Sequence, residues 1–281
     1  MMRGNPLLLK EFRQRMRTRR APLVIMGYFI SMALLTFLLL YENVQGQLTL
    51  LLPARGEQVF VTLGLLQMAV VVFLTPAFAA GAVSGERERR TLSVLLTTPL
   101  SPFTILMGKV LSSSALLLLL VVVTLPLYSL VFLFGAAVPQ ELVGVFGFQL
   151  LTIVLVAAMS VCWSTLALRS GWSTVLSYAT VTWMVLITGL FGYGLQYAAT
   201  RFPIDYFLLN WGQFLLRLNP LWIEAGLAGA VPGHFARDSL WFLGFYGSIT
   251  VILWVLSSGR LRPQSYAFSA RFRHGDEKDF E

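Results

Sequence analysis

The sequence predicts an all-α membrane protein, a bundle of six transmembrane helices, and three observations carry that prediction. Of the 281 residues, 57% are hydrophobic and 12% charged, whereas an ordinary soluble chain carries about 25% charge. The mean hydropathy is +0.74, so a water-soluble fold would lack the polar surface to cover itself. Six stretches contain no Asp, Glu, Lys, Arg or His, and each can cross about 30 Å of hydrocarbon, which takes about 20 helical residues. These stretches are too long for barrel strands and lack strict alternation, so helices are the solution. A single cysteine, Cys162, in an apolar run excludes a disulfide scaffold.

The first span is expected over residues 21–41. Its basic approach resembles a signal peptide, but the apolar run is about twice the length of a signal core and Glu42 to Gly46 offers no small-residue cleavage site, so it is read as retained. The second to fourth spans follow at 59–83, 110–134 and 142–168, the fifth at 171–200 and the sixth at 239–256. Between the last two, Tyr206 to Leu218 is apolar but short, and Asn219-Pro220 breaks it before Leu221 to Ala230. That pattern suits two short helices at the outer interface with Trp211 and Trp222 as anchors, or a partly buried loop packed on the bundle. The whole chain, 1–281, is expected to be one transmembrane domain with a tail over 257–281.

Charge placement sets the orientation. The net charge is +8, and 17 of the 21 Lys and Arg residues lie before span one, between spans two and three, between four and five, or after span six. The alternate connections hold Arg55, Arg201, Arg217 and Arg237. By the positive-inside rule both termini are cytoplasmic, and the excess charge is an orientation signal rather than a nucleic-acid footprint.

Three cytoplasmic features carry further information. In Pro6 to Arg20 the residues Leu8, Phe12 and Met16 recur every four positions, with Lys10, Arg13, Arg17 and Arg20 largely off that stripe. This is a basic amphipathic helix suited to the headgroup layer, or an orientation signal alone; both place it against membrane lipid. In the loop Ser84 to Lys109, the run Glu86-Arg87-Glu88-Arg89-Arg90-Thr91 precedes Leu92, Leu95 and Leu96, spaced as one face of a short helix. Pro99 stops it, and Ser101-Pro102 reads as an N-cap with proline at the first helical position. The tail places Arg260, Arg262, Arg271 and Arg273 against anionic lipid and ends in acids; His274 near Asp276 is read as a solvated pair rather than a metal site.

The loop carries a resemblance. Gly85-Glu86-Arg87-Glu88-Arg89-Arg90-Thr91-Leu92, then Leu95 to Ser101 and Gly108-Lys109, resembles the loop G-E-[RK]-E-x-G-T-L-x-x-L-L-x-[TS]-P-[LV]-S between spans two and three of type-two ABC transporter permeases. Asn5 to Arg13 is similar to that family's opening, N-P-[VIL]-x-x-K-E-[LF]. Arg90 stands where glycine is common and Ser93 where an acid is frequent. The resemblance implies that the loop is a coupling element on which a separate ATPase subunit docks, with Glu86, Arg87, Glu88 and Arg89 as the contact, Arg90 and Thr91 beside them, and Leu92, Leu95 and Leu96 as anchors. It implies that Pro6 to Arg20 is an elbow helix and that Arg169, in Leu168 to Gly171, is a second, minor contact. It also implies two ATPase copies, which bind ATP and magnesium, and a second permease as homodimer or heterodimer partner.

What is missing bears on function as well. No P-loop is present, so this chain binds no nucleotide in that manner and holds no cofactor of its own. No span contains Asp, Glu, Lys, Arg or His, which argues against an ion-coupled carrier, and no catalytic dyad can be assembled at depth. Gln67, Thr75, Gln149, Ser177 and Thr180 are the candidate pathway-lining groups; interhelical hydrogen bonds account for them equally well. The expected function is the permease subunit of an ATP-driven exporter in a bacterial or archaeal cytoplasmic membrane, with a hydrophobic or amphipathic substrate. It is not itself an enzyme and has no nucleic-acid partner. The alternative is a non-transporting scaffold that recruits a cytoplasmic partner through its basic loop and tail.

Overall fold

The computed structural model describes residues 20–44, 53–92, 101–133, 139–201, 206–231, 233 and 235–261. These are helical and contain no strand. Six helices are long and apolar enough to cross a membrane. The first is α1 (Arg20–Val44), the second α2 (Pro53–Ala79), whose exit turn leads into the short α3 (Ser84–Glu88). The third is α4 (Pro102–Val123) continued by α5 (Leu125–Leu133). The fourth is α6 (Pro139–Leu166). The fifth is α7 (Ser170–Thr182), a π turn (Trp183–Ile187) and α8 (Thr188–Arg201). Two short helices follow, α9 (Tyr206–Arg217) and α10 (Pro220–Leu227), then the sixth span, α11 (Phe235–Arg260). The elbow residues Leu8, Phe12, Arg13, Met16 and Arg17, together with Leu95 and Leu96, lie outside the described residues.

The helices α2 and α6 form the centre, with 56% of the apolar window of each buried, against 11% for α1 and 17% for α11. Phe60 of α2, Tyr128 of α5 and Phe146 of α6 meet edge to face at 5.8 and 4.8 Å between ring centroids. A second cluster joins Met68, Phe148, Met184, Ile223, Phe242 and Tyr246. A third lies at the α3 end and holds Ala79, Leu92, Leu106, Val161 and Leu261. The expected cap of α4 is present: the Ser101 hydroxyl accepts the Thr104 N–H at 3.2 Å, with Pro102 in the first turn. The third span bends at Thr124, where Pro126 cannot continue the helical ladder. Gln67 donates to the Thr124 hydroxyl at 2.9 Å and so secures the bend.

The α9–α10 pair departs from an interfacial placement. Helix α9 runs back along α8: a Cβ on Gly212 would stand 3.0 Å from the Gly192 carbonyl oxygen, so only glycine lets the two backbones approach this closely. At the bottom of the hairpin Asn219 donates its side-chain amide to the Val185 carbonyl at 2.8 Å, within the π turn. Its Oδ1 accepts from Leu221 N and Trp222 N, capping α10. Val185 lies roughly 24 Å of helix from the Arg201 end, so the hairpin reaches the middle of the span and α10 climbs back out. Trp222 packs against Tyr193 and Phe235 rather than anchoring a headgroup layer. An apolar segment with a central Asn-Pro break can re-enter because the protein around it satisfies its backbone.

Candidate functional site

Two polar constellations stand out, one at each side of the bundle. The first is built on α3. Its five residues are too few to be stable alone, and side chains fasten them to the rest. The Ser164 hydroxyl of α6 accepts the Val83 and Ser84 N–H groups at 3.0 and 2.9 Å. Ser173 of α7 donates to the Ala80 carbonyl at 2.6 Å. Glu86 forms an ion pair with Lys109 of α4, whose side chain is 5% exposed.

The adjacent charges of opposite sign face adjacent helix ends of opposite polarity. Arg87 donates to the Ala167 and Thr165 carbonyls at 2.6 and 3.1 Å, at the C-terminus of α6. Glu88 accepts the Ser170 N–H at 2.7 Å and its hydroxyl at 2.9 Å, at the N-terminus of α7. A cation at a C-terminus and an anion at an N-terminus both complement the helix dipole and satisfy groups the helix leaves unpaired. The two Ser170 hydrogen bonds, aided by the charge of Arg169, hold the Glu88 carboxyl below the usual carboxylate range. Arg260 of α11 adds a third tie, donating to the Leu166 carbonyl at 2.8 Å.

Helix α3 ends in a Schellman turn, with Arg90 N bonded to Arg87 O and Thr91 N to Glu86 O at 3.1 and 2.9 Å. Arg90 has φ +58°, the one non-glycine residue at positive φ among the described residues. The position where glycine is common in the resembling loops is therefore one that needs the left-handed region. Leu92 is buried in the third cluster. Of the expected docking residues, Glu86, Arg87 and Glu88 bond to α4, α6 and α7, Thr91 bonds to the Glu86 carbonyl, and Glu88, Arg89, Arg90, Thr91 and Arg169 are exposed.

The second constellation is at the α10 level. The Glu224 side chain is fully buried, and its Oε1 accepts from Gln149 Nε2 of α6 at 2.6 Å. The same Gln149 nitrogen lies 3.4 Å from the Gly64 carbonyl of α2. The Tyr128 hydroxyl, with Tyr28 beyond it, is in electrostatic reach of Glu224. Glu224 Oε2, Gln149 Oε1 and Thr152 Oγ1 are buried without a hydrogen-bond partner among the described residues.

The candidate pathway-lining groups sit between helices of one chain rather than on an open face. Gln67 bonds to Thr124, and Thr75 to its own Val71 carbonyl. Gln149 holds Glu224. Thr180 accepts from Trp163 Nε1 at 3.0 Å, and Ser177 is buried. Sequence reasoning missed Glu224: its signal was one acid in the apolar run 221–230 with no basic neighbour. It also missed the roles of Lys109 and Ser170. On the flank of the hairpin, a cavity of about 440 Å³ is lined by Gln213, Arg217, Trp222, Asp238 and Trp241 among others; there Arg217 pairs with Asp238 at 3.2 Å. No group of three or more His, Cys, Asp and Glu residues fit to hold a metal occurs among the described residues.

Residues 6–257 match the family described as ABC-2 family transporter protein. No curated protein matches the chain.

Proposed function

The chain is a member of the ABC-2 transporter family, a multi-pass membrane protein of an ABC transport system, and from that premise we propose that it is the permease subunit of an ATP-driven exporter, with α3 at the cytoplasmic end and a separate ATPase subunit docked beneath it. The observation that carries this reading is the fastening of α3. A loop that only obeyed a charge rule would be solvated, whereas this one is tied to α4, α6 and α7 by Glu86, Arg87 and Glu88. A push on α3 is then delivered to three spans at once, because packed elements move as bodies rather than deform.

The exposed residues that would meet the partner are Arg89, Arg90, Thr91 and Arg169, three of them basic. The surface they meet is therefore acidic, and docking weakens with salt. Two ATPase copies and two permeases, alike or homologous, would complete the machine. The helix α1 exposes Leu23, Met26, Ile30, Leu34 and Phe37, a face for lipid or for the second permease. A hydrophobic or amphipathic substrate fits the charge-free spans.

The test is a pull-down of the tagged protein from mild-detergent membranes of its host, with ATP hydrolysis assayed on the eluate. A P-loop ATPase should co-elute with the wild type and be depleted about tenfold by Arg89→Glu, whose side chain has no role in fastening α3. If no ATPase co-elutes under conditions that keep known ABC complexes intact, the exporter assignment fails and a scaffold becomes the working description.

A further inference from the structure

Glu224 is a fully buried carboxyl side chain in a bundle whose six apolar runs carry no Asp, Glu, Lys, Arg or His. It reaches that position only because the α9–α10 hairpin re-enters. Among the described residues no basic side chain is bonded to it, and the side chain that is bonded is the neutral amide of Gln149. Tyr128 on α5 and Tyr28 on α1 are the titratable groups near it. Glu57 of α2 and Glu141 of α6 both approach Gly229, beyond the end of α10, and bring no positive charge. Arg217 of α9 is turned to Asp238 of α11, and Tyr246 of α11 is buried in the second cluster. An ionised carboxylate enclosed without a cation costs several kcal/mol, which the protein avoids by keeping the group neutral.

We propose that Glu224 is a proton-binding site that couples the position of the α9–α10 hairpin to pH on the outer side of the membrane. In the arrangement seen here the carboxyl carries its proton, with Oε1 accepting from Gln149 and Oε2 buried without a hydrogen-bond partner among the described residues. When the hairpin swings outward, the group meets water and the O–H bond breaks, leaving the electron pair on the carboxylate and passing the proton to outer water. On return the carboxylate takes a proton back from the same side, so no net proton transfer accompanies the cycle. The closed arrangement binds one proton more than the open one; it is therefore favoured as outer pH falls, and opening is favoured as pH rises. The inference goes beyond the permease reading, borrowing from it only the sidedness of the membrane.

The experiment uses the full-length protein in liposomes. A cysteine at Ala228, buried at the end of α10, is labelled by a membrane-impermeant maleimide added outside. A cysteine at the exposed Ala230 corrects for thiol chemistry, and the native Cys162 is buried. The ratio of the two labelling rates should rise about tenfold per pH unit, the signature of one proton, and should become flat in Glu224→Gln. Infrared spectra at neutral pH should show a protonated-carboxyl band that Glu224→Gln removes and Glu224→Asp shifts, a readout independent of any transport activity or ATPase. A ratio independent of pH, an unchanged pH dependence in Glu224→Gln, or absence of the band at neutral pH would each overturn the assignment. So would dependence on sodium or potassium in place of pH, which would mean that a metal cation neutralises the carboxylate.

Discussion

Arg90 shows how one backbone angle gives meaning to a position in the sequence. A left-handed arginine costs about 1–2 kcal/mol relative to an allowed conformation, and glycine at the same site is free of that cost although it loses more entropy on folding. Arg90→Gly is expected to stabilise the protein by about 1 kcal/mol, seen as a rise of about 2 °C in Tm in detergent. An unchanged or lower Tm would mean that the Arg90 side chain contributes as much as its backbone costs. Glu88 gives a pH prediction of the opposite sign to Glu224. Its carboxyl is held below the ordinary range by Ser170, so the tie to α7 persists above and through the ordinary carboxylate range, about pH 4.3, and is lost as pH falls through the depressed value. Hydrogen exchange at the Ser170 amide should therefore stay slow on mild acidification in the wild type and be fast at all pH in Glu88→Ala.

Among the elements, α3 and the α9–α10 hairpin each depend on a few polar ties. Glu86→Ala breaks the ion pair with the buried Lys109, and breaking a buried pair costs about 3–5 kcal/mol. The paired replacement Glu86→Leu, Lys109→Met should recover most of that loss, since apolar groups of similar size need no partner; denaturation of the single and double variants tests both statements. Asn219 caps α10 and also pins the hairpin tip to the π turn. Asn219→Ala should cost about 2–3 kcal/mol, the sum of a cap of about 1 kcal/mol and a buried hydrogen bond to the Val185 carbonyl. The loss should appear as faster hydrogen exchange confined to α9 and α10. Uniform destabilisation of the bundle would show instead that the hairpin is an integral part of the core.

On the scale of the whole molecule, the burial of each span follows its place in the bundle. Helix α1 is exposed along one side, and on that surface Gly27 and Ser31 make a small-residue pair four positions apart, the spacing that lets two membrane helices approach closely. A Cβ at Gly27 would meet nothing within 4 Å in the single chain. Gly27→Ile should therefore leave the protomer's stability unchanged. If the second permease packs on this face, it should weaken that association about tenfold, or about 1.4 kcal/mol. Single-molecule photobleaching in liposomes reads the dimer fraction directly, and an undiminished fraction would place the partner elsewhere.

The sequence by itself determined the six spanning helices, the cap at Ser101 and the loop that marks the family. Each is a one-dimensional signal: a charge-free run matched to bilayer thickness, a serine before a proline, or a contiguous motif. The same signals could not say that Arg87 and Glu88 look inward to two helix ends, because those ends are brought to α3 by packing from about 80 residues away. Nor could they place Glu224, since a short apolar stretch with an Asn-Pro break fits both an interface and a re-entrant hairpin. Tertiary structure decided between them. Close approach at Gly192 and Gly212, with the Asn219 bond to Val185, brings α10 into the bundle. Whether a polar segment can enter the membrane depends on who satisfies its hydrogen bonds, and those partners exist only once the helices have assembled.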